Sequence, residues 1–158
     1  TIALFPTLEI KDRTQVKTTS QVVKDDEIEV INEEVDNLTE FEEIVGEAEQ
    51  LISSKALFKK PDLTILDISR GLDLHHRKLS KAINLIKGEN FNTYINRFRV
   101  AEAKEMLINS KYKHWSVEGI GQEVGFKSKS SFYGAFKKFE NTTPLRFKQQ
   151  VTALNDNI

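Results

Sequence analysis

The residues with the clearest chemical potential lie between Ser116 and Lys148, where lysines and hydroxyl side chains share one helical face. Phenylalanines at positions 132, 136 and 139 recur at helical spacing and predict the buried side of a helix. The face that they leave free carries Lys129, Ser130, Ser131, Tyr133, Lys137 and Lys138. Ammonium and hydroxyl groups donate hydrogen bonds to phosphate oxygens, so this face is suited to binding a polyanion.

A shorter apolar-periodic segment precedes this helix, and a compact break separates the two. The segment is built on Val117, Ile120 and Val124, and the break covers residues 125–128. The pattern predicts a helix, a tight turn and a second helix.

The same pattern occurs a second time, earlier in the chain. At an offset of 52, the residues Ile68, Ser69, Leu72, Asp73 and Leu74 correspond to Ile120, Gly121, Val124, Gly125 and Phe126; at an offset of 53, Leu79, Ile83 and Ile86 correspond to Phe132, Phe136 and Phe139. Both copies place a small residue, Ser69 or Gly121, where two crossing helices must approach closely. The sequence therefore predicts two helix-turn-helix units.

The elements around the repeat also show helical periodicity. We predict a first helix from Thr39, as its N-cap, to about Lys55 or Phe58, and a capping box at Thr64 and Asp67. A long linker helix over about 90–109 is predicted to turn Phe91, Tyr94, Ile95, Phe98, Ala101 or Glu102, and Met106 inward, and Pro144 begins a last helix that ends near Leu154. The predicted fold is all-α, with about seven helices and two helix-turn-helix subdomains joined by the linker helix.

Charge divides the chain into two regions. Residues 1–54 hold 4 Lys/Arg against 14 Asp/Glu, a net of −10, and residues 55–150 hold 19 against 9, a net of +10. We interpret residues 1–38 as an acidic, poorly structured linker or the end of an upstream region, although the alternation around Ile28 is also compatible with a short strand. Residues 39–158 form the predicted domain, with its first unit at about 39–88 and its second at about 116–154.

Several functional classes find no support in the sequence. The chain has no cysteine, no HExxH, GxSxG, P-loop or GxGxxG motif, and no apolar run long enough to span a bilayer, so we predict no enzyme activity, no cofactor and no membrane contact by this chain. Adjacent helical residues do not face the same way, so His75 and His76 are interpreted as turn or cap residues and no metal site is predicted. Arg97 and Arg99 are predicted to form ion pairs with Glu102 or Glu105.

The wording of both copies resembles a known family. GFKSKSSFYGAFKKFENTTPLRF is similar to the second helix-turn-helix of AraC/XylS-type transcription regulators, LTILDISRGLDLHHRKLSKAIN to the first, and ENFNTYINRFRVAEAKEML to the linker helix. The resemblance covers about residues 45–150 and is closest to output domains of large Bacteroidetes-type sensors. It implies a cytoplasmic double-stranded-DNA-binding regulator, attached to an upstream sensor domain that is often membrane-bound, with RNA polymerase as a candidate partner. Residue 1 is Thr, which supports a longer polypeptide.

In this family each second helix enters a major groove, and the resemblance assigns roles residue by residue. Base contacts are expected from Arg77, Ser80, Lys81 and Asn84 in the first unit and from Lys129, Ser130, Ser131 and Tyr133 in the second. Phosphate contacts are expected from Thr64, Lys78, Ser116, Lys127, Lys137 and Arg146, with His76 as an alternative to Lys78. One departure is Gly134, because the family commonly has arginine there. The first unit is therefore expected to supply most of the sequence specificity.

Two alternatives remain open on the sequence alone. A helical adaptor whose basic face docks an acidic protein partner would show the same charges. The acidic segment either connects to a sensor or folds back on the basic face as an autoinhibitor.

Overall fold

The computed structural model describes residues 25–155, with side chains from 35 to 154, and this part of the chain is helical throughout its regular elements. The α-helices are α1 (Asp25–Ser54), α2 (Ile65–Gly71), α3 (His76–Lys87), α4 (Phe91–Ile108), α5 (Val117–Glu123), α6 (Lys129–Glu140) and α7 (Pro144–Asn155), with single 3-10 turns at Leu57–Lys59 and Ser110–Tyr112. Seven α-helices in the described residues, with α4 as the long linker, confirm the predicted fold class.

Helix α1 begins earlier than the sequence suggested. Residues 25–38 are helical, so for this stretch the poorly structured backbone and the short strand were both wrong, whereas its role as a linker stays a prediction. Thr39 is not an N-cap, because it lies inside the helix and its hydroxyl donates to the carbonyl of Val35 at 3.1 Å. Apolar residue types recur at 28, 31, 35 and 38, a helical spacing obscured by the acidic residues between them. Residues 25–38 could fold back on the basic face as an autoinhibitor only if this helix broke. The predictions for residues 1–24 lie outside the described residues.

The first hydrophobic core joins α1, α2, α3 and the N-terminal half of α4. Its fully buried members include Ile52, Ile68 and Leu79. The capping box predicted at Thr64 and Asp67 is present, and the hydrogen bonds from Thr64 lower the pKa of the Asp67 carboxyl. This cap begins α2 directly after the loop that follows α1, and so fixes where the first helix-turn-helix starts.

The two helix-turn-helix turns have equivalent backbone hydrogen bonds. Leu74 N–H donates to the Ser69 carbonyl at 2.8 Å, and Phe126 N–H donates to the Gly121 carbonyl at 3.0 Å. Each bond spans six residues and ends a short helix. The residue before each donor has a positive φ, 53° at Asp73 and 103° at Gly125. The internal repeat inferred from the sequence is therefore a structural repeat as well.

Close helix crossing explains the small residues at the equivalent positions. Ser69 is 2% exposed, and its hydroxyl donates to the Leu66 carbonyl at 3.2 Å. A Cβ atom built at Gly121 would lie only 2.5 Å from the Phe132 ring. Gly121 therefore has no room for a side chain without movement of the second helix.

Helix α4 serves two cores on two different faces. Tyr94 and Ile95 belong to the first core, whereas Val100, Ala103, Met106 and Leu107 belong to the second core with α5 and α6. A single inward stripe through Ala101 or Glu102 was therefore wrong: Ala101 is exposed, and Glu102 is half-buried beside Lys59, with which it pairs at 2.7 Å. The buried face changes where the helix passes from one unit to the other.

Candidate nucleic-acid interface

The outer face of α3 carries the first set of predicted base-contacting residues. Arg77, Lys81 and Asn84 are exposed at successive turns, and Ser80 beside them is half-buried. The Lys81 ammonium lies 5.3 Å from the centroid of the Phe41 ring. Among the described residues, Arg77 has no ion-pair partner, so its guanidinium is available to an external acceptor.

Helices α1 and α3 lie side by side, and carboxylates of α1 pair with lysines of α3. Lys78 pairs with Glu40, and Lys87 pairs with Glu49 at 2.7 Å. The two glutamates are nine residues apart on α1, the two lysines are nine residues apart on α3, and the pairs occur in the same order. The two helices therefore run in the same direction. Lys78, which was predicted to contact phosphate, has an intramolecular carboxylate partner in this structure.

The outer face of α6 carries the second set. Lys129, Ser130 and Ser131 are exposed in its first turn, and Tyr133 is half-buried in the second. Gly134 is exposed, and a Cβ atom built there would meet no atom within 4 Å. The structure therefore has room for a side chain at this position, where the family commonly has arginine, although this sequence has glycine there.

A carboxylate on α5, which the sequence analysis did not identify, joins two residues of this second set. Glu118 accepts hydrogen bonds from the Lys129 ammonium at 2.7 Å and from the Tyr133 hydroxyl at 3.2 Å. The bond from Lys129 holds the pKa of Glu118 below its usual range, and Glu118 in turn raises the pKa of Lys129. Burial, together with the bond to Glu118, raises the pKa of Tyr133. The equivalent residue of the first unit is Leu66, so the repeat gave no signal for this acid.

The residues predicted to contact phosphates are divided between the two units. Thr64 and Ser116 are the N-caps of α2 and α5, and the Ser116 hydroxyl accepts the amide proton of Gly119 at 2.9 Å. Because the Thr64 hydroxyl donates to Asp67 at 2.7 Å, its proton is already committed. The remaining three, Lys127, Lys137 and Arg146, are exposed cations. Lys127 pairs with Asp62. The assignment of these residues to phosphates stays a prediction.

Arg99, near the middle of the linker helix, contacts both units. Its Nε donates to the Phe58 carbonyl at 2.7 Å, and its Nη2 donates to the Lys60 carbonyl at 2.9 Å. Its guanidinium also lies 5.6 Å from the ring centroid of Phe126, in the turn of the second unit. Desolvation lowers the pKa of this half-buried guanidinium.

The predicted ion pairs of the linker arginines were wrong. Arg97 pairs with Glu89 at 2.7 Å, and Arg99 binds backbone carbonyls. Spacing along α4 suggested glutamates three to eight residues further along the chain. The Glu89 carboxylate and the two loop carbonyls that bind these arginines all precede α4 in the chain.

The histidines do not form a metal-binding group in the described part of the chain. His75 is the N-cap of α3, where its Nδ1 accepts the amide proton of Arg77 at 3.2 Å, and its ring stacks on His76. No three His, Asp or Glu side chains gather around a common point in the residues that the structure describes. Across the same residues, none of the helices has both the length and the apolar character needed to cross a membrane.

Two helix-turn-helix units with exposed basic second helices, joined by one linker helix, define a double helix-turn-helix domain. Residues 68–150, more than half of the chain, match the family described as "Helix-turn-helix domain". The regulatory protein PocR of Salmonella typhimurium is 31% identical over 90 residues, which make up 57% of this chain and 29% of PocR. The chain thus spans about 30% of the length of this curated relative.

Two solved structures have the same architecture. The C-terminal domain of AraT, a response regulator from Geobacillus stearothermophilus, aligns with a TM-score of 0.58 and 26% identity, over 68% of this chain and 84% of that domain. An AraC-type transcriptional regulator from Chromobacterium violaceum aligns with a TM-score of 0.59 and 22% identity, over 70% and 93% of the two chains, and supports the fold. The chain belongs to the AraC-type helix-turn-helix family.

Removal of the Glu118 charge is expected to strengthen binding to any DNA. In Glu118→Gln, Lys129 loses its carboxylate partner and the interface loses one negative charge, which is worth on the order of 1 kcal/mol near a phosphate, or about fivefold in affinity. Titration of wild type and variant at neutral pH with random and selected duplexes measures the effect. Because Lys129 depresses the pKa of Glu118, the carboxylate stays charged at neutral pH, and the difference should vanish only in acid. Glu123→Gln on the same helix is the matched control; an equal gain in both variants would contradict a specific role for Glu118.

Proposed function

We propose that this domain binds double-stranded DNA sequence-specifically and regulates transcription, with α3 and α6 in successive major grooves. The observation that carries the proposal is the structural repeat, since each copy presents an exposed, cationic second helix. Helix α4 has 18 residues and is about 27 Å long at 1.5 Å per residue. Successive major grooves on one side of B-DNA are about 34 Å apart, a distance that one such helix and the widths of the two units span.

The two helices have different expected roles. On α3, Arg77 and Lys81 suit guanine, and Asn84 suits adenine, because these side chains match the hydrogen-bonding edges of those bases. On α6, Gly134 has no side chain, and two of the hydroxyl groups already donate within the protein, that of Tyr133 to Glu118 and that of Ser131 to the Ser128 carbonyl at 2.8 Å. Lys129 and Ser130 remain as the donors. The second unit is therefore proposed to contribute mainly phosphate and shape contacts.

The relatives support a regulatory setting for this domain. PocR is a regulatory protein of which this chain spans under a third, and the AraT structure is the C-terminal domain of a response regulator. We propose that the present domain is the cytoplasmic output part of a longer signal-sensing regulator of the Bacteroidetes type, with RNA polymerase as a further partner.

The test is DNA retention as a function of salt. With Lys78, Lys127, Lys137 and Arg146 on phosphates, log K should fall against log salt concentration with a slope of about −3 to −4. A duplex selected from a random pool should bind at least about 1,000-fold more tightly than random DNA. No retention of any duplex at about 50 mM salt would reject DNA binding and favour the adaptor function.

A further inference from the structure

We propose that Arg99 and the Gly125 turn lock the two helix-turn-helix units together, and thereby set the spacing between DNA half-sites that the domain accepts. The inference rests on the proposed function. It assigns a positioning role to residues that lie on neither recognition helix.

Arg99 links the second half of the molecule to a loop of the first. That loop, residues 57–60, follows α1 and belongs to the first unit, and two of its carbonyls accept charge-assisted hydrogen bonds from the one guanidinium. The carbon of the same guanidinium lies 5.6 Å from the ring centroid of Phe126, a buried residue of the second unit. A planar group with donors in a fixed fork can satisfy all three partners at once, and a lysine ammonium cannot.

The turn of the second unit touches the same loop. A Cβ atom built at Gly125 would lie 2.6 Å from the Phe58 carbonyl oxygen and 3.0 Å from the Lys59 carbonyl carbon. The turn geometry also favours glycine, because φ is 103° at Gly125, well beyond the 53° that Asp73 adopts at the equivalent position of the first unit. Glycine at 125 thus meets two requirements, since the missing Cβ atom also permits the backbones of the two units to meet.

Ion pairs flank this contact on both sides but are weaker restraints. Lys127 of the second unit pairs with Asp62 of the first, and Lys59 pairs with Glu102 of α4. Exposed pairs of this kind contribute about 0 to 1 kcal/mol, and salt screens them. The hydrogen bond from the half-buried Arg99 to Phe58 and the close approach at Gly125 are the parts that salt weakens least.

The mechanical result is a second connection between the units. Helix α4 alone would allow one unit to tilt against the other as the helix bends. The contacts at Gly125 and Arg99 join α4 and the turn of the second unit to loop 57–60 of the first unit. A tilt of one unit against the other would therefore break the hydrogen bonds from Arg99 to the loop carbonyls. A domain held in this way should engage two half-sites only at one spacing, since each inserted base pair shifts a groove by about 3.4 Å and rotates it by about 34°.

The experiment compares spacing tolerance in wild type, Arg99→Lys and Arg97→Lys. Arg97 lies on the same helix, pairs with Glu89 and lies 4.8 Å from the ring centroid of Phe139, so it is the matched control for an α4 arginine that does not bond to loop 57–60. A site selected by the wild-type chain is lengthened or shortened by one base pair between its half-sites, and dissociation constants are measured. Wild type and Arg97→Lys should lose on the order of 100-fold, because only one unit can then engage. Arg99→Lys should lose about tenfold or less, although it binds the original spacing less tightly than wild type.

The outcomes separate the two proposals. If Arg99→Lys shows the same spacing penalty as wild type, the lock is wrong and the DNA-binding function stands. If the wild-type chain selects no sequence at all, the proposed function fails and the lock fails with it. Far-UV circular dichroism checks that the variant is folded, and Arg99→Gln, which retains one donor group, replaces it if its helix content is low.

Discussion

Phe136→Ala is expected to lower the free energy of unfolding by about 3 to 5 kcal/mol. Phe136 is 0% exposed, and its ring packs edge-on against Phe132 at 5.8 Å and Phe147 at 5.5 Å. It therefore ties α6 to α7 within the second core. Truncation removes a buried aromatic ring and leaves a cavity that three helices would have to close.

Urea unfolding followed by circular dichroism measures this loss. The matched control is Phe139→Ala on the same helix, where the ring is half-buried and already lies beside the cations Arg97 and Lys138. We expect the control to lose less than about half as much, because less surface returns to water. Equal losses in the two variants would show that Phe136 is not a central packing residue.

Arg77→Ala is expected to weaken binding to a selected site by about 5- to 150-fold, corresponding to about 1 to 3 kcal/mol. Arg77 is exposed at the N-terminal end of α3, the end that helix-turn-helix proteins direct at base edges. Loss of the proposed bidentate contact with guanine should also relax the preference for one base pair. Binding to random DNA should change far less.

Lys137→Ala is the matched control for Arg77. A phosphate contact should weaken binding to all sequences alike and reduce the salt slope by about 1. Competition binding with single-base variants of the selected site distinguishes the two patterns. A uniform loss in Arg77→Ala, with base preferences intact, would remove Arg77 from the set of base-reading residues.

Scrambling each half-site separately tests the unequal roles of the two units. Scrambling the half-site of α3 should weaken binding more than scrambling that of α6, because Gly134 leaves α6 with fewer base-reading groups. Equal losses would mean that Lys129, Ser130 and Ser131 read sequence as strongly as α3 does.

Local features were predictable from the sequence because they depend on residues close together in the chain. The capping box at Thr64, the start of α4 at about residue 90 and the start of α7 at Pro144 are of this kind. The repeat added long-range information, since two matching patterns imply two matching units. The start of α1 was missed because a dense run of carboxylates resembled a solvated linker.

Contacts between distant parts of the chain were not predictable in this way. Arg99 bonds to a carbonyl 41 residues away, and Glu118 bonds to a tyrosine 15 residues ahead. Neither distance is a helical or strand period, and neither pair is repeated in the other unit. Spacing along a single helix therefore gave the wrong partners for Arg99 and none for Glu118.

Because α1 packs in parallel against α3, a movement at the N-terminal end of α1 can be transmitted to α3. At 1.5 Å per residue, about 22 Å of helix separates Asp25 from Glu40, which is paired to the first turns of α3. From Phe41 onward α1 is buried in the same core as α3. A tilt imposed at the Asp25 end would therefore reach α3 through one continuous helix. It would change the proposed fit of α3 in a major groove without altering any of the side chains that are predicted to contact bases.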